Sequence, residues 1–105
     1  MVSIKTFRQM ALAFPEVAEL PHLEKISFRV KKKIFATLSA QSSIACVKLS
    51  LVDQSVFCSI DQSIIYPVPN KWGLQGWTNI NLAKIKKTML HDILQTAYTS
   101  LFKKF

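Results

Sequence analysis

Four cationic side chains within five residues form the part of this sequence best suited to bind a charged ligand: Arg29, Lys31, Lys32 and Lys33. They join two runs rich in β-branched and aromatic residues, 25–30 and 33–39, which are typical of β-strands. A hairpin tip with several cations can lie along a phosphate backbone and displace its counterions, the main source of non-specific affinity for nucleic acid. Exposed lysines also protect sheet edges from aggregation, so a purely structural role stays open.

A second candidate site is the segment 65–78, here called the tryptophan loop, which holds both tryptophans, both glycines and two of the four prolines. Glycine reaches positive φ at low cost and proline fixes φ, so this composition predicts a shaped turn between two extended pieces, with a glycine at positive φ. Trp72 either stacks on a base, anchors a partner or belongs to the core, whereas Trp77 starts a strand and is interpreted as a core residue.

Residues for catalysis or metal binding are few. The two histidines and two cysteines form no H-x-x-x-H, H-E-x-x-H, CxxC or mixed Cys/His motif. The glycines of the tryptophan loop are not followed by the Lys-Ser/Thr of a phosphate-binding loop. Cys46 and Cys58 are interpreted as reduced, buried thiols. The sequence therefore predicts a protein without catalytic residues, metal or cofactor, which is not an enzyme.

Length and composition narrow the class of protein further. The chain of 105 residues is expected to form one domain over 1–105, and its 50% hydrophobic content argues against disorder. No apolar run approaches the ~20 residues that span a bilayer, and the N-terminus lacks a secretory pattern, so we expect a cytoplasmic protein without membrane contact. Fourteen Lys and Arg against six Asp and Glu give a net charge of +8, which favours a polyanionic partner or serves solubility alone.

Apolar periodicity and turn residues predict the order helix, three strands, helix, two strands, helix. The expected ranges are a helix over 3–14, strands over 25–30, 33–39 and 44–49, a helix over 50–60, strands over 64–66 and 77–82, and a final helix from residue 83. This order predicts an α+β fold, a two-layer sandwich in which helices cover an antiparallel sheet.

Two details of this prediction concern which side chains face the core. In the second helix, opened by the capping box Ser50-x-x-Asp53, the apolar residues are expected to point inward: Leu51, Val52, Val56, Phe57 and Ile60. In the last helix, Leu90, Ile93, Leu94 and Tyr98 are expected to pack on the sheet.

The turn of the lysine hairpin has two alternative lengths. A two-residue turn at Lys31 and Lys32 would pair Phe28 with Phe35. Tight hairpin turns usually need positive φ, which costs a non-glycine residue about 1–2 kcal/mol, so a wider loop is the alternative.

The pattern W-G-x-x-G-W-T, together with Pro21-His22, the run 27–30 and the run 33–38, resembles the MmcQ/YjbR family of small bacterial proteins. The resemblance covers nearly the whole chain. It implies a fold similar to frataxin-like proteins and secretion chaperones, a proposed double-wing motif for DNA binding, and no assigned reaction. The iron binding of frataxin-like proteins needs an acidic helix face, which the first helix lacks because it carries Lys5 and Arg8 and no carboxylate.

The resulting hypothesis is a small, non-enzymatic cytoplasmic protein that binds DNA weakly and without sequence preference. The candidate nucleic-acid-binding residues are Arg29, Lys31, Lys32, Lys33, Lys71 and Trp72. The alternative is a protein-interaction or chaperone-like module that binds a peptide or a partner subunit.

Overall fold

An antiparallel sheet of six strands, in the order β1-β2-β3-β4-β6-β5, organises the protein in the computed structural model, which describes residues 1–22 and 25–102. The elements are α1 (Ile4–Leu12), β1 (Val17–His22), β2 (Lys25–Val30), β3 (Lys33–Ser39), β4 (Ile44–Lys48), α2 (Leu51–Cys58), β5 (Ile65–Pro67), α3 (Lys71–Leu74), β6 (Trp77–Asn81) and α4 (Lys87–Ser100). The predicted α+β class with an antiparallel sheet is confirmed. Glu24, Lys103 and Lys104 lie outside the described residues.

The first two helices begin where their capping residues predict. The Ser3 hydroxyl accepts a hydrogen bond from the Thr6 amide, and the Ser50 hydroxyl accepts one from the Asp53 amide, each at 3.1 Å. These bonds satisfy amide groups that have no partner within the helix. The last helix begins at Lys87, four residues later than predicted, because a turn follows β6 first.

Strand β1 was not predicted from the sequence, where residues 15–24 were left as a connection between the first helix and the strand over 25–30. It pairs with β2 at the edge of the sheet, a position that tolerates Pro21 because the outer side of an edge strand needs no ladder hydrogen bond. Glu19 of β1 accepts two hydrogen bonds from the guanidinium of Arg8, both at 3.0 Å, which ties α1 to this edge.

The β2–β3 hairpin has the two-residue turn but not the predicted pairing. Val30 pairs with Lys33 across the turn, and a β-bulge between Phe28 and Arg29 then moves the register by one residue, so that Phe28 pairs with Ala36. The expected pairing of Phe28 with Phe35 is therefore wrong. The bulge leaves Phe35 free to point into the core, where its ring lies 5.8 Å from that of Tyr98.

One face of the sheet carries the core, and the helices pack against that face. Leu90, Ile93 and Leu94 of α4 are fully buried there, as predicted from their periodicity. Tyr98 is partly buried, and its hydroxyl donates a hydrogen bond of 2.8 Å to the Pro15 carbonyl at the end of α1.

Helix α2 presents the opposite face to the one predicted. Its buried positions are Gln54 and Cys58, whereas Leu51, Val52 and Val56 of the helix, and Ile60 two residues after it, are 55–73% exposed. The inward orientation expected for those four is wrong. Gln54 determines the orientation, since its amide nitrogen lies 3.0–3.2 Å from the Gly73 carbonyl, the Trp77 carbonyl and the Thr78 hydroxyl. The exposed face of α2 is called the α2 apolar face below.

Candidate nucleic-acid interface

The lysine turn, Lys31 to Lys33, lies at the tip of the β2–β3 hairpin with all three side chains exposed. Lys31 has φ of 58°, so it is Lys31 that takes the left-handed backbone conformation of this tight turn. Arg29 is two residues from the tip and partly buried, and its Nε donates a hydrogen bond of 2.9 Å to the Ser27 hydroxyl. The structure therefore brings the three lysines together at the hairpin tip, whereas Arg29 lies on β2 and is hydrogen-bonded to a neighbouring side chain of the same strand.

The tryptophan loop contains the short helix α3 and is held in a single shape by its glycines. Gly76 has φ of 104°, which confirms the predicted positive φ, and an added Cβ would lie 1.8 Å from the Leu49 carbonyl oxygen. Trp72 is 50% exposed at the start of α3, and the Lys71 ammonium lies 5.9 Å from the centre of its ring. The loop thus displays one cation and one aromatic ring side by side.

Trp77 does not belong to the core as expected. It is partly exposed, and it alternates along β6 with Thr78 and Ile80, which are fully buried on the helix side of the sheet. Alternate residues of a strand point to opposite faces, so Trp77 lies on the face that the helices leave open.

The lysine turn and the tryptophan loop extend from the same end of the sheet. β3 starts at the lysine turn, the antiparallel β4 therefore ends there, and β6, antiparallel to β4, starts there again. The lysine turn connects β2 and β3, and the tryptophan loop connects β5 and β6. The middles of these two strand pairs are three strand spacings of about 4.8 Å apart in the sheet, so the two projections are about 14 Å apart. This sheet end, called the basic end below, thus carries every predicted nucleic-acid-binding residue.

Charges at the basic end are mainly positive. Its cations are Arg29, Lys31, Lys32, Lys33, Lys48 and Lys71, against the carboxylates of Glu16 and Asp53. Lys48 was not singled out in the sequence; it ends β4, and its ammonium donates to the Gln75 carbonyl of the tryptophan loop at 2.5 Å. Within the part of the chain that the structure describes, Arg8–Glu19 is the one ion pair, and it does not involve a cation of the basic end.

Phe102 is another residue of this end that sequence reasoning missed. It follows α4, is 53% exposed, and borders a groove of about 460 Å³ together with Val30, Leu101 and the lysine turn. Only the fold brings it there, because it lies 69 positions after Lys33 in the chain. The groove has an apolar floor under a cationic rim.

Other chemistry finds little support in the described residues. They contain no group of three or more His, Cys, Asp or Glu side chains able to hold a metal ion. Cys46 is a free thiol whose pKa is raised to about 11 by burial, an effect that the nearby Lys25 ammonium opposes only in part. A thiol with that pKa stays protonated at neutral pH and is a poor nucleophile.

No helix among residues 1–22 and 25–102 is long and apolar enough to cross a membrane.

Comparisons with known proteins agree with this fold. The model of the YjbR family matches residues 12–100, so the chain belongs to the YjbR family, which is not a known enzyme family. Among solved structures, the crystal structure of Deinococcus radiodurans protein DR2400, which carries the family domain DUF419, is similar with a TM-score of 0.82 and 19% sequence identity, over 99% of this chain and 81% of that one. No curated protein matches the chain significantly.

Proposed function

We propose that this protein is a non-enzymatic, cytoplasmic protein that binds DNA weakly through the phosphate backbone, without reading base sequence. The observation that carries the proposal is the placement of two basic projections at one end of the sheet, about 14 Å apart. That spacing is comparable to the roughly 12 Å width of the major groove of DNA. The lysine turn and the tryptophan loop would then act as two wings.

The chemistry of the cations supports backbone binding over base recognition. Among the described residues, five of the six cations at the basic end are lysines, which act on phosphates as mobile point charges. Arg29 is the one side chain there that could form a bidentate contact with a guanine, and its Nε is already engaged with Ser27. Binding driven by phosphates alone is expected to be micromolar or weaker in physiological salt.

The test is the salt dependence of DNA binding, measured by fluorescence anisotropy for the parent and for a variant with Lys31, Lys32 and Lys33 all replaced by Ala. Each lost phosphate contact lowers the slope of log K against log salt by about 0.7–0.9, so the variant should lose roughly two to three units of slope. Its melting temperature should stay that of the parent, because all three side chains are exposed.

A matched control removes the same charge from the other end of the sheet. Lys84, Lys86 and Lys87 are exposed and follow β6 at the end opposite the lysine turn. Replacing these three by Ala should leave most of the slope intact. Equal losses in the two triple variants, or no binding by the parent even at low salt, would contradict the proposal.

The second candidate function is a protein-interaction module, and the α2 apolar face favours it. Leu74 of the tryptophan loop, 77% exposed, is a further exposed apolar residue of the protein. Contiguous exposed apolar residues mark protein interaction sites in many soluble proteins.

Sedimentation velocity at low and high salt distinguishes this second function from DNA binding. An apolar contact between subunits should withstand high salt and be lost in a Val52→Ser/Val56→Ser variant. A parent that stays monomeric over the whole concentration series would argue against a partner subunit of the same chain.

A further inference from the structure

The face of the sheet opposite the helices carries a continuous row of side chains from edge to edge. Cross-strand partners in this row are Leu20, Ser27, Thr37, Cys46, Asn79 and Tyr66, one from each strand. Residues paired directly across strands point to the same face, so all six lie on one side of the sheet. The neighbouring rows contain the fully buried core residues Phe28, Ala36, Val47, Leu38, Ala45 and Ile80, which places this row on the side away from the core. We call this side the open face.

Two aromatic rings stand close together on the open face. Tyr66 of β5 pairs with Asn79 of β6, and Trp77 lies two residues before Asn79 on the same side of that strand. Tyr66 and Trp77 are therefore diagonal neighbours, a relation that places residues about 7–8 Å apart. Both side chains are partly exposed. The Tyr66 and Trp77 rings could therefore each stack against one flat group of a ligand, at neighbouring positions.

Cations share the open face with these rings, and carboxylates are absent from the described strand residues of this face. Lys48 pairs directly with Trp77, and Arg29 and Lys25 lie on either side of Ser27 along β2. Glu19, the acidic residue of β1, pairs with Phe28 of the core side and binds Arg8 there. The open face thus combines aromatic rings with positive charge, and through Arg29 it continues into the lysine turn.

We propose that the open face binds single-stranded nucleic acid by stacking unpaired bases on Trp77 and Tyr66, while Lys48, Arg29 and the lysine turn hold the phosphates. The proposal rests on the proposed function and adds a preference for single strands to it. Unpaired bases stack on exposed aromatic side chains whatever their sequence, whereas a duplex keeps the faces of its bases inside. Phosphate contacts alone would give no such preference.

Binding of a thymidine oligomer of about 16 nucleotides, the upper end of the site size of one small β-domain, should be compared with binding of a duplex of the same length. The parent should bind the single strand more tightly. Trp77→Leu and Tyr66→Leu should each weaken single-strand binding roughly 5- to 150-fold, since stacking contributes about 1–3 kcal/mol per base. Gln95→Leu is the control and should leave binding unchanged, because Gln95 is exposed on α4, on the helix side of the sheet and away from the open face.

A second measurement keeps the test independent of whether the Trp77 variant folds. In a Trp72→Phe protein, Trp77 is the only tryptophan, so its fluorescence should be quenched when the oligomer binds. Equal affinity for single strand and duplex with unchanged Trp77 fluorescence would overturn the open-face site but leave the DNA-binding function standing. If the parent binds neither nucleic acid at low salt, both proposals fail.

Discussion

Helices α2 and α4 both carry apolar residues, but these residues lie differently relative to the core. The apolar stripe of α4 is buried against the sheet, with Leu90, Ile93 and Leu94 fully inaccessible to solvent. In α2, Leu51, Val52 and Val56 are exposed, whereas the polar side chain of Gln54 is buried. The difference shows that the orientation of a helix follows from what its neighbours require: α4 covers an apolar sheet, whereas α2 covers the tryptophan loop, whose carbonyl groups need a donor.

The largest effect that would test this comparison is expected at α4. Leu94→Ala should lower the free energy of unfolding by about 2–5 kcal/mol, because it removes a completely buried side chain and leaves a cavity. A denaturant melt measures this loss. A change near zero would mean that the α4 stripe does not pack on the sheet and would remove the contrast with α2.

A smaller but distinct loss is expected at the polar core position of α2. Gln54→Leu should cost about 1–3 kcal/mol, since the carbonyl of Gly73 and the hydroxyl of Thr78 lose a buried donor. Gln95→Leu on the exposed side of α4 is the control and should change stability little. If Gln54→Leu were as stable as the parent, apolar packing would suffice to orient α2.

The smallest effect should come from the α2 apolar face. Val52→Ser/Val56→Ser is expected to change the unfolding free energy by no more than about 0.5 kcal/mol per substitution, because both side chains are more than half exposed. The same melt at a concentration where the protein is monomeric measures it. A loss near that of Leu94→Ala would show that these valines pack in a core.

Features that depend on neighbouring residues in the chain could be predicted from the sequence. The caps at Ser3 and Ser50 follow from side chains three residues from the amides they bind, and the turn at Lys31 and Lys32 follows from the two runs that flank it. The long stripe of α4 is repeated often enough to define its buried face.

Features set by tertiary contacts could not be predicted in this way. Strand β1 has little intrinsic β-preference and exists through its pairing with β2. The bulge that returns Phe35 to the core, and the three hydrogen-bond acceptors around Gln54, involve residues far apart in the chain. The candidate site has both kinds of feature. The lysine turn depends on neighbouring residues and could be predicted, whereas its placement beside the tryptophan loop and Lys48 depends on the strand order and could not.

The most direct measurement of the DNA-binding account is an NMR titration of the isotope-labelled protein with the thymidine oligomer at low salt, which reports on every surface at once. The account predicts that the largest shifts fall on the amides of Arg29 to Lys33, the amide of Lys48 and the Trp77 indole, while the amides of α2 stay unchanged. Shifts confined to α2, or no shifts at all, would contradict it.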